Sequence, residues 1–341
     1  MKKSIPVDQA VGKVLPHDIT EIVKGEFKGC AFKKGHIIQA EDVEHLRRLG
    51  KEHIYVLELT QNEIHENEAA RLLVAALAGT GTAYTDEVVE GKAVINATFD
   101  GLLKINKEVL FRFNMLGDVM CATLHTNTPV KKGEQLAACR LIPLLGEREM
   151  VNKAVSIAEN AKPVVQVLPL KQAKVGLVIT GNEVFYGRIE DKFEQVLRSK
   201  LAAFGSEVTH VAFAPDDPGK IASAISESLA QGVDLIVTSG GMSVDPDDVT
   251  RSGIKQAGAV DTVYGTPVLP GAMFLTGRIG DVPVLGLPAC GMFHNITVFD
   301  LILPRILTGE SIGREEFADM GHGGLCRNCK RCQYPVCNFG K

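Results

Sequence analysis

Three short segments of this 341-residue chain combine acids, hydroxyls and glycines in patterns suited to phosphate chemistry. They are Thr180-Gly181-Asn182-Glu183, Ala214-Pro215-Asp216-Asp217-Pro218, and the longer run from Ser239-Gly240-Gly241-Met242-Ser243 through Asp245, Asp247 and Asp248 to Thr250. In the third, Gly240-Gly241 between Ser239 and Ser243 lets backbone N–H groups turn toward an anion, and a helix beginning near Val249 adds its positive end. Carboxylates in the same crevice would repel a bare phosphate. A hard divalent cation such as Mg²⁺, bridging protein oxygens and ligand phosphate, reconciles the two. Each piece alone has a plainer explanation: Asp217 and Asp248 can cap the helices that follow, and a Gly-Gly pair can make a tight turn. Capping does not require acids to gather at three successive strand ends, so the set together points to a phosphate ligand.

A fourth segment carries different chemistry. Cys326, Cys329, Cys332 and Cys337 place four soft ligands at short spacing, and from Gly321 onward Arg327, Lys330, Arg331 and Lys341 face no Asp or Glu. Four thiolates around Zn²⁺ or a [4Fe–4S]²⁺ cluster leave a net charge of about −2, which basic neighbours offset. Ferredoxin runs read Cys-x2-Cys-x2-Cys-x3-Cys-Pro; here the last gap is one residue longer and Asn338 replaces the proline. An iron–sulfur cluster is placed first, structural zinc second, and a disulfide or redox-active tail third. Cys30, Cys121 and Cys139 are scattered and read as small buried hydrophobes in a reducing compartment.

The elements that must hold these segments follow from the apolar pattern. From Lys174 the chain alternates strand, loop and helix. Strand Val175–Ile179 is followed by a helix with Phe193, Val196, Leu197, Leu201 and Phe204 on one face. Next come a strand over 207–213, a helix with Ile221, Ile225 and Leu229, a strand over 235–237 and another over 283–286. An apolar helix is expected from about 291 to 307, with Pro304 kinking or ending it. This is a three-layer α/β/α domain bounded at 173–310, and in open sheets of this kind ligands bind beyond the carboxyl ends of the strands. Residues 1–60 form an α+β segment with one helical signal at 41–49 and a strand at 53–57. Residues 61–172 read as a small β-rich domain, with strand runs at 93–97 and 109–113 and a helix leading out over 150–162. Residues 311–341 form the cysteine-rich tail. A lone His125 has no partners at useful spacing and is read as a surface or satisfied core histidine.

Composition bounds the functional classes. With 45% hydrophobic and 23% charged residues the chain is an ordinary globular one, and a net charge of −4 argues against a nucleic-acid partner. No apolar run is long enough to cross a bilayer and no signal core follows Met1, so a cytoplasmic protein is expected, with no membrane partner.

Taken together, the three loops resemble those of the molybdopterin-binding domain family, whose members include molybdopterin adenylyltransferases and molybdopterin molybdenumtransferases. Thr180-Gly181-Asn182-Glu183 looks like the family's Thr-Gly-Asp-Glu loop, and Pro215-Asp216-Asp217 like its Asp-Asp loop. Ser239 through Val244 with Asp248 looks like its Gly-Gly loop and functional aspartate. Gly286-Leu287-Pro288 resembles the family's Gly-Leu-Pro turn, and Pro270-Gly271 is similar to the Pro-Gly that precedes that turn in the molybdenumtransferases. Residues 10–19 and 33–56 are similar to the opening segments of those enzymes. The chain departs from them in lacking a long Pro-Pro-Phe-Asp segment, in carrying the cysteine tail where they have a β domain, and in reading Ala289-Cys290 after Pro288. Cys290 is either a thiol at a helix start with a lowered pKa or a small buried side chain.

The resemblance implies molybdenum cofactor biosynthesis by a homo-oligomeric transferase. Glu183, Asp216 and Asp248 would hold Mg²⁺ and orient phosphate, and the Ser239–Ser243 loop would cradle it. Thr180, Gly181, Asn182, Pro270, Gly271, Gly286, Leu287 and Pro288 would line the site for molybdopterin or adenylyl-molybdopterin, and molybdate would displace AMP. The alternatives are a non-catalytic molybdopterin carrier or redox/metal sensor, and a nucleotide pyrophosphate hydrolase on the same loops.

Overall fold

Strands with apolar residues on both faces need a helix layer on each side, and the sequence from Lys174 supplies both. In the computed structural model, β1 (Lys174–Thr180), β2 (Glu207–Ala214), β3 (Leu235–Ser239), β4 (Val260–Tyr264), β5 (Leu275–Ile279) and β6 (Val282–Leu287) form one sheet in the order β2-β1-β3-β6-β5-β4. The first four in that order run parallel, and β5 and β4 add an antiparallel edge. Side chains alternate between two cores, as the two-residue period of a strand requires. Val175, Leu177, Val237 and Leu285 pack with α1 (Phe193–Ala202) and α4 (Val298–Leu307). Val178, Ile236 and Val284 pack with Ile221 and Ile225 of α2 (Pro218–Ala230) and Ile254 of α3 (Thr250–Gln256). The expected three-layer α/β/α arrangement is present.

The structure describes residues 2–23, 27–57, 60–161 and 163–341, and the chain divides into two compact units. The α/β unit comprises Leu168–Lys341 with Asp100–Leu103 and His125–Lys131; the other unit holds the rest of the chain before it.

Two local expectations for the α/β unit are corrected. The apolar helix does not begin near 291: a 3-10 turn occupies Ala289–Met292, and α4 starts only at Val298. Thr297 and Asp300 close a reciprocal capping box there, satisfying N–H groups that would otherwise be orphaned. Pro304 lies inside α4, which continues to Leu307. The edge strands β4 and β5 had no counterpart in the sequence reading. Lys200 of α1 reaches the Asp300 carboxylate at 2.6 and 2.7 Å, both side chains being largely buried, so the ion pair ties α1 to the α4 start. Beyond α4 the chain remains part of this unit, with Ile312, Phe317 and Phe339 buried in the same core as α4.

In the other unit, Lys2–Pro6 pairs antiparallel with His53–Leu57, and Ile19–Val23 with Phe27–Phe32. Leu15, Phe32, Ile38, Leu46 and Ile54 form their core, with helix Asp42–Arg48 at the expected place. A four-stranded antiparallel sheet follows, in the order Thr82–Tyr84, Lys92–Ala97, Gln135–Leu141, Val119–Thr123, packed by helix Glu66–Leu77. The run 109–113, expected as strand, is instead within helix Lys107–Asn114. Asn106 caps it by accepting the Val109 N–H at 3.2 Å, and Val109 and Phe113, four apart, are its buried residues while Phe111 is 65% exposed. Capping chemistry and one-sided burial outweigh the β propensity of Val and Phe. The helix expected over 150–162 is Arg148–Glu159; Lys162 lies outside the described residues. Cys121 and Cys139 are buried neighbours on paired strands, and burial pushes both thiols up, so they sit as inert hydrophobes. Cys30 is exposed, contrary to expectation. His125 is exposed.

Candidate functional site

The strand order places β1 between β2, which follows it in sequence, and β3, which follows β2. The connections therefore leave β1 in opposite directions, and a crevice opens at the carboxyl ends of β1 and β3. Thr180 ends β1 and Ser239 ends β3, and their registers bring them alongside one another. Thr180 Oγ1 donates to the Ser239 carbonyl at 2.9 Å and lies 2.8 Å from Thr250 Oγ1, at the start of α3. All three residues are buried. Sequence reasoning placed Thr250 at the end of its loop and gave it no role; only the fold brings its hydroxyl to Thr180.

The glycines of the third loop are needed for this approach. Gly240 has φ +88° and a Cβ there would lie 2.4 Å from the Thr180 carbonyl; Gly241 has φ +55° and a Cβ there would lie 2.3 Å from Thr250 Oγ1. Both conformations and both contacts exclude a side chain. The Gly240 N–H is used, donating to the Leu287 carbonyl at 3.3 Å, and the Gly241 carbonyl accepts from Thr250 N–H. Among the described residues the N–H groups of Gly241, Met242 and Ser243 have no protein acceptor. Ser239 Oγ is buried with no partner. Unpaired donors at a left-handed turn form an anion-binding concavity.

The second loop joins the first through a reciprocal pair. Asp216 accepts the Asn182 N–H at 2.9 Å, and Asn182 Oδ1 accepts the Asp216 N–H at 3.2 Å. Asp216 is partly buried, and burial pushes its carboxyl above the ordinary range; Glu183, Asp247 and Asp248 raise it further, against the lowering effect of the Asn182 N–H. The acids of all three loops thus act on one carboxyl. Asp248 does not cap α3: its Oδ2 accepts the Asp245 N–H at 2.9 Å, and Val249 is the cap position. Asp217 does cap α2, accepting the Lys220 N–H at 2.8 Å ahead of Pro218, which accounts for it structurally.

A folded-state pKa above the unfolded one means that the native chain binds more protons, so stability falls as pH rises through that window. Asp216→Asn keeps an acceptor for the Asn182 N–H and removes the charge. It is therefore expected to raise the melting temperature at pH 7 by roughly 1–2 °C, with the gain shrinking as pH is lowered through the acid range. A lower melting temperature at pH 7, read by scanning calorimetry, would contradict the repulsion described.

The remaining expected ligand residues fall into three places. Met242 is buried in the core, its carbonyl accepting from Tyr264 Oη at 2.6 Å and its methyl against Gly286, where a Cβ would lie 2.7 Å away. Leu287 is likewise buried, and Pro288 begins the following 3-10 turn. Pro270 and Gly271 pack against the α4 start, where the Pro270 carbonyl accepts the Val298 N–H and a Cβ on Gly271 would meet Val298 at 2.5 Å. The Cys290 side chain lies outside the described residues. The four tail cysteines are free and line a separate cavity of the α/β unit. A further pair that went unread is Arg251 over the Tyr264 ring at 4.2 Å, which braces α3 against the edge strand β4.

The family described as a probable molybdopterin binding domain matches residues 176–308, and a domain of unknown function matches residues 4–58. The matched residues 176–308 lie within the α/β unit and are similar to the molybdopterin-binding domain family. A CinA-like protein of Mycobacterium tuberculosis (strain ATCC 25618 / H37Rv) is 41% identical over 78 residues, 23% of this chain and 18% of that protein. One from Mycobacterium sp. (strain MCS) is 40% identical over the same length, so the chain matches less than a fifth of these relatives. Among solved structures, the molybdopterin biosynthesis enzyme MoaB of Thermus thermophilus overlaps 40% of this chain and 98% of its own, at 24% identity and a TM-score of 0.35. The molybdopterin biosynthesis MoeA protein of Pyrococcus horikoshii overlaps 73% and 81%, at 17% identity and a TM-score of 0.33. Among the described residues no helix is long and apolar enough to cross a membrane.

Proposed function

We propose that the α/β unit binds molybdopterin or adenylyl-molybdopterin through its phosphate at the carboxyl ends of β1 and β3, and that the chain acts in molybdenum cofactor assembly as a transferase, inserting molybdate with release of AMP. The observation that carries this reading is the Ser239–Ser243 turn. It offers three unpaired N–H groups and an orphaned serine hydroxyl over two glycines that leave no room for side chains. The match to the molybdopterin-binding family supports a pterin phosphate as the anion.

The acids fit a divalent cation of limited protein ligation. Mg²⁺ usually takes one or two carboxylates and completes its shell with phosphate oxygens and water. Among the described residues no three acids, histidines or cysteines form a cage, while the mutual influence of Glu183, Asp216 and Asp248 marks an acidic crevice. One or two of the carboxylates Glu183, Asp216 and Asp248 would hold the ion, which when bound offsets phosphate charge. The chain itself contributes position: Asn182 and Asp216 fix the first two loops together, and Thr180 and Thr250 fix the third.

The small molecule that co-purifies with the full chain tests the ligand class. Oxidative extraction followed by fluorescence and mass is expected to yield a pterin phosphate. An adenine nucleotide without any pterin would favour pyrophosphate hydrolysis on these loops instead.

A further inference from the structure

The four cysteines of the tail surround one cavity of about 590 Å³ in the α/β unit, together with Ile296, Tyr334 and Phe339. We propose that this cavity is a [4Fe–4S] cluster site ligated by Cys326, Cys329, Cys332 and Cys337, distinct from the crevice at the strand ends. Four thiols on one hollow are the first support, since Cys30, Cys121 and Cys139 lie in the other unit.

The second support is local geometry. Asn328 adopts φ +51° and its N–H points to Cys326 Sγ at 3.4 Å. A backbone N–H donated to sulfur stabilises the thiolate and is one of the contacts that tune metal–sulfur centres.

The third is that the hollow is held by the folded unit. The Cys326 N–H donates to the Leu269 carbonyl at 2.8 Å, and the Leu269 N–H to the Gly324 carbonyl at 2.8 Å. Cys326, Cys337 and Tyr334 pack against the core that contains Phe339 and α4. Cys329 and Cys332 line the same hollow and are exposed.

Cavity size separates a cluster from a single ion. Zinc draws its four sulfurs to about 2.3 Å from one point in a closed tetrahedron. Among the described residues no three His, Cys, Asp or Glu side chains are grouped so as to hold a single metal ion, and the four cysteines instead line a cavity of about 590 Å³. On ligation each of four S–H groups releases its proton to solvent and forms one Fe–S bond, leaving a centre of about −2 with a [4Fe–4S]²⁺ core. Arg327, Lys330 and Arg331, interleaved with the ligands, offset that charge.

The test uses the full chain, purified anaerobically and reconstituted with equal amounts of ferrous and ferric iron and with sulfide, which together supply the two Fe(II), two Fe(III) and four sulfides of a [4Fe–4S]²⁺ core. The expected result is about four irons and four sulfides per chain, with a broad visible absorbance that dithionite bleaches. Cys329→Ser and Cys332→Ser, at exposed positions that leave the core intact, are each expected to lower bound iron at least twofold. Cys30→Ser is expected to bind as much iron as the unaltered chain. Less than one iron per chain after reconstitution, one colourless zinc per chain in place of iron, or equal loss in Cys30→Ser and Cys329→Ser would each overturn the proposal.

Discussion

Gly241→Val is expected to weaken molybdopterin binding about 100-fold while the α/β unit stays folded. A Cβ at this position would lie 2.3 Å from Thr250 Oγ1 and 3.2 Å from Thr250 Cβ, so either Thr250 or the turn must move. Thr250 is fully buried and its hydroxyl is hydrogen-bonded to Thr180, which in turn holds the Ser239 carbonyl. Movement therefore spreads into the junction that aims the N–H groups of residues 241–243. A β-branched residue at φ +55° adds backbone strain of about 1–3 kcal/mol. Gly258→Val separates strain from site damage, because Gly258 also has a left-handed φ, +92°, yet nothing lies within 4 Å of its Cβ position. That control should lose some stability and keep its affinity in calorimetric titration. If Gly241→Val, shown to be folded by circular dichroism, binds as tightly as the unaltered chain, the turn is not the phosphate site.

Asp248→Asn is expected to reduce Mg²⁺-dependent conversion of adenylyl-molybdopterin and molybdate at least about 100-fold. Asparagine keeps a side-chain oxygen for the Asp245 N–H, which Asp248 now accepts at 2.9 Å, so the loop retains its shape. What disappears is one negative charge from an acidic crevice whose members already raise the pKa of Asp216. Asp217→Asn is the matched control: it also loses a charge one residue from Asp216, but Asp217 serves as the α2 cap and asparagine caps as well. Equal turnover in the Asp248 variant and the unaltered chain would remove Asp248 from the reaction. Absence of turnover in the unaltered chain, with pterin still bound, would instead support a carrier.

The sequence by itself determined the α/β unit and the segments that carry its chemistry. Fully apolar strands such as Leu235-Ile236-Val237 and helices with Ile221 and Ile225 four apart allow few arrangements but a layered parallel sheet, and that architecture puts functional loops at the strand ends. Local chemistry was legible where it competes only with its neighbours, as in the Asp217 cap followed by Pro218. It misled where a cap stood outside the window being read: Asn106 turns the 109–113 run into a helix.

Only the tertiary structure decided which candidate residues meet. Thr250 lies 70 positions from Thr180, and no sequence period links them; the strand order and the left-handed Gly240-Gly241 turn bring their hydroxyls to 2.8 Å. The same packing sends Met242 inward against Gly286 while its neighbours' N–H groups remain unpaired, and sets Pro270-Gly271 against the α4 start. It also makes the cysteine tail part of the α/β unit, because Phe317 and Phe339 gain a core only by folding back onto α4. Short-range order follows from residue type and period, whereas these meetings depend on contacts between residues far apart in the chain, which the fold alone establishes.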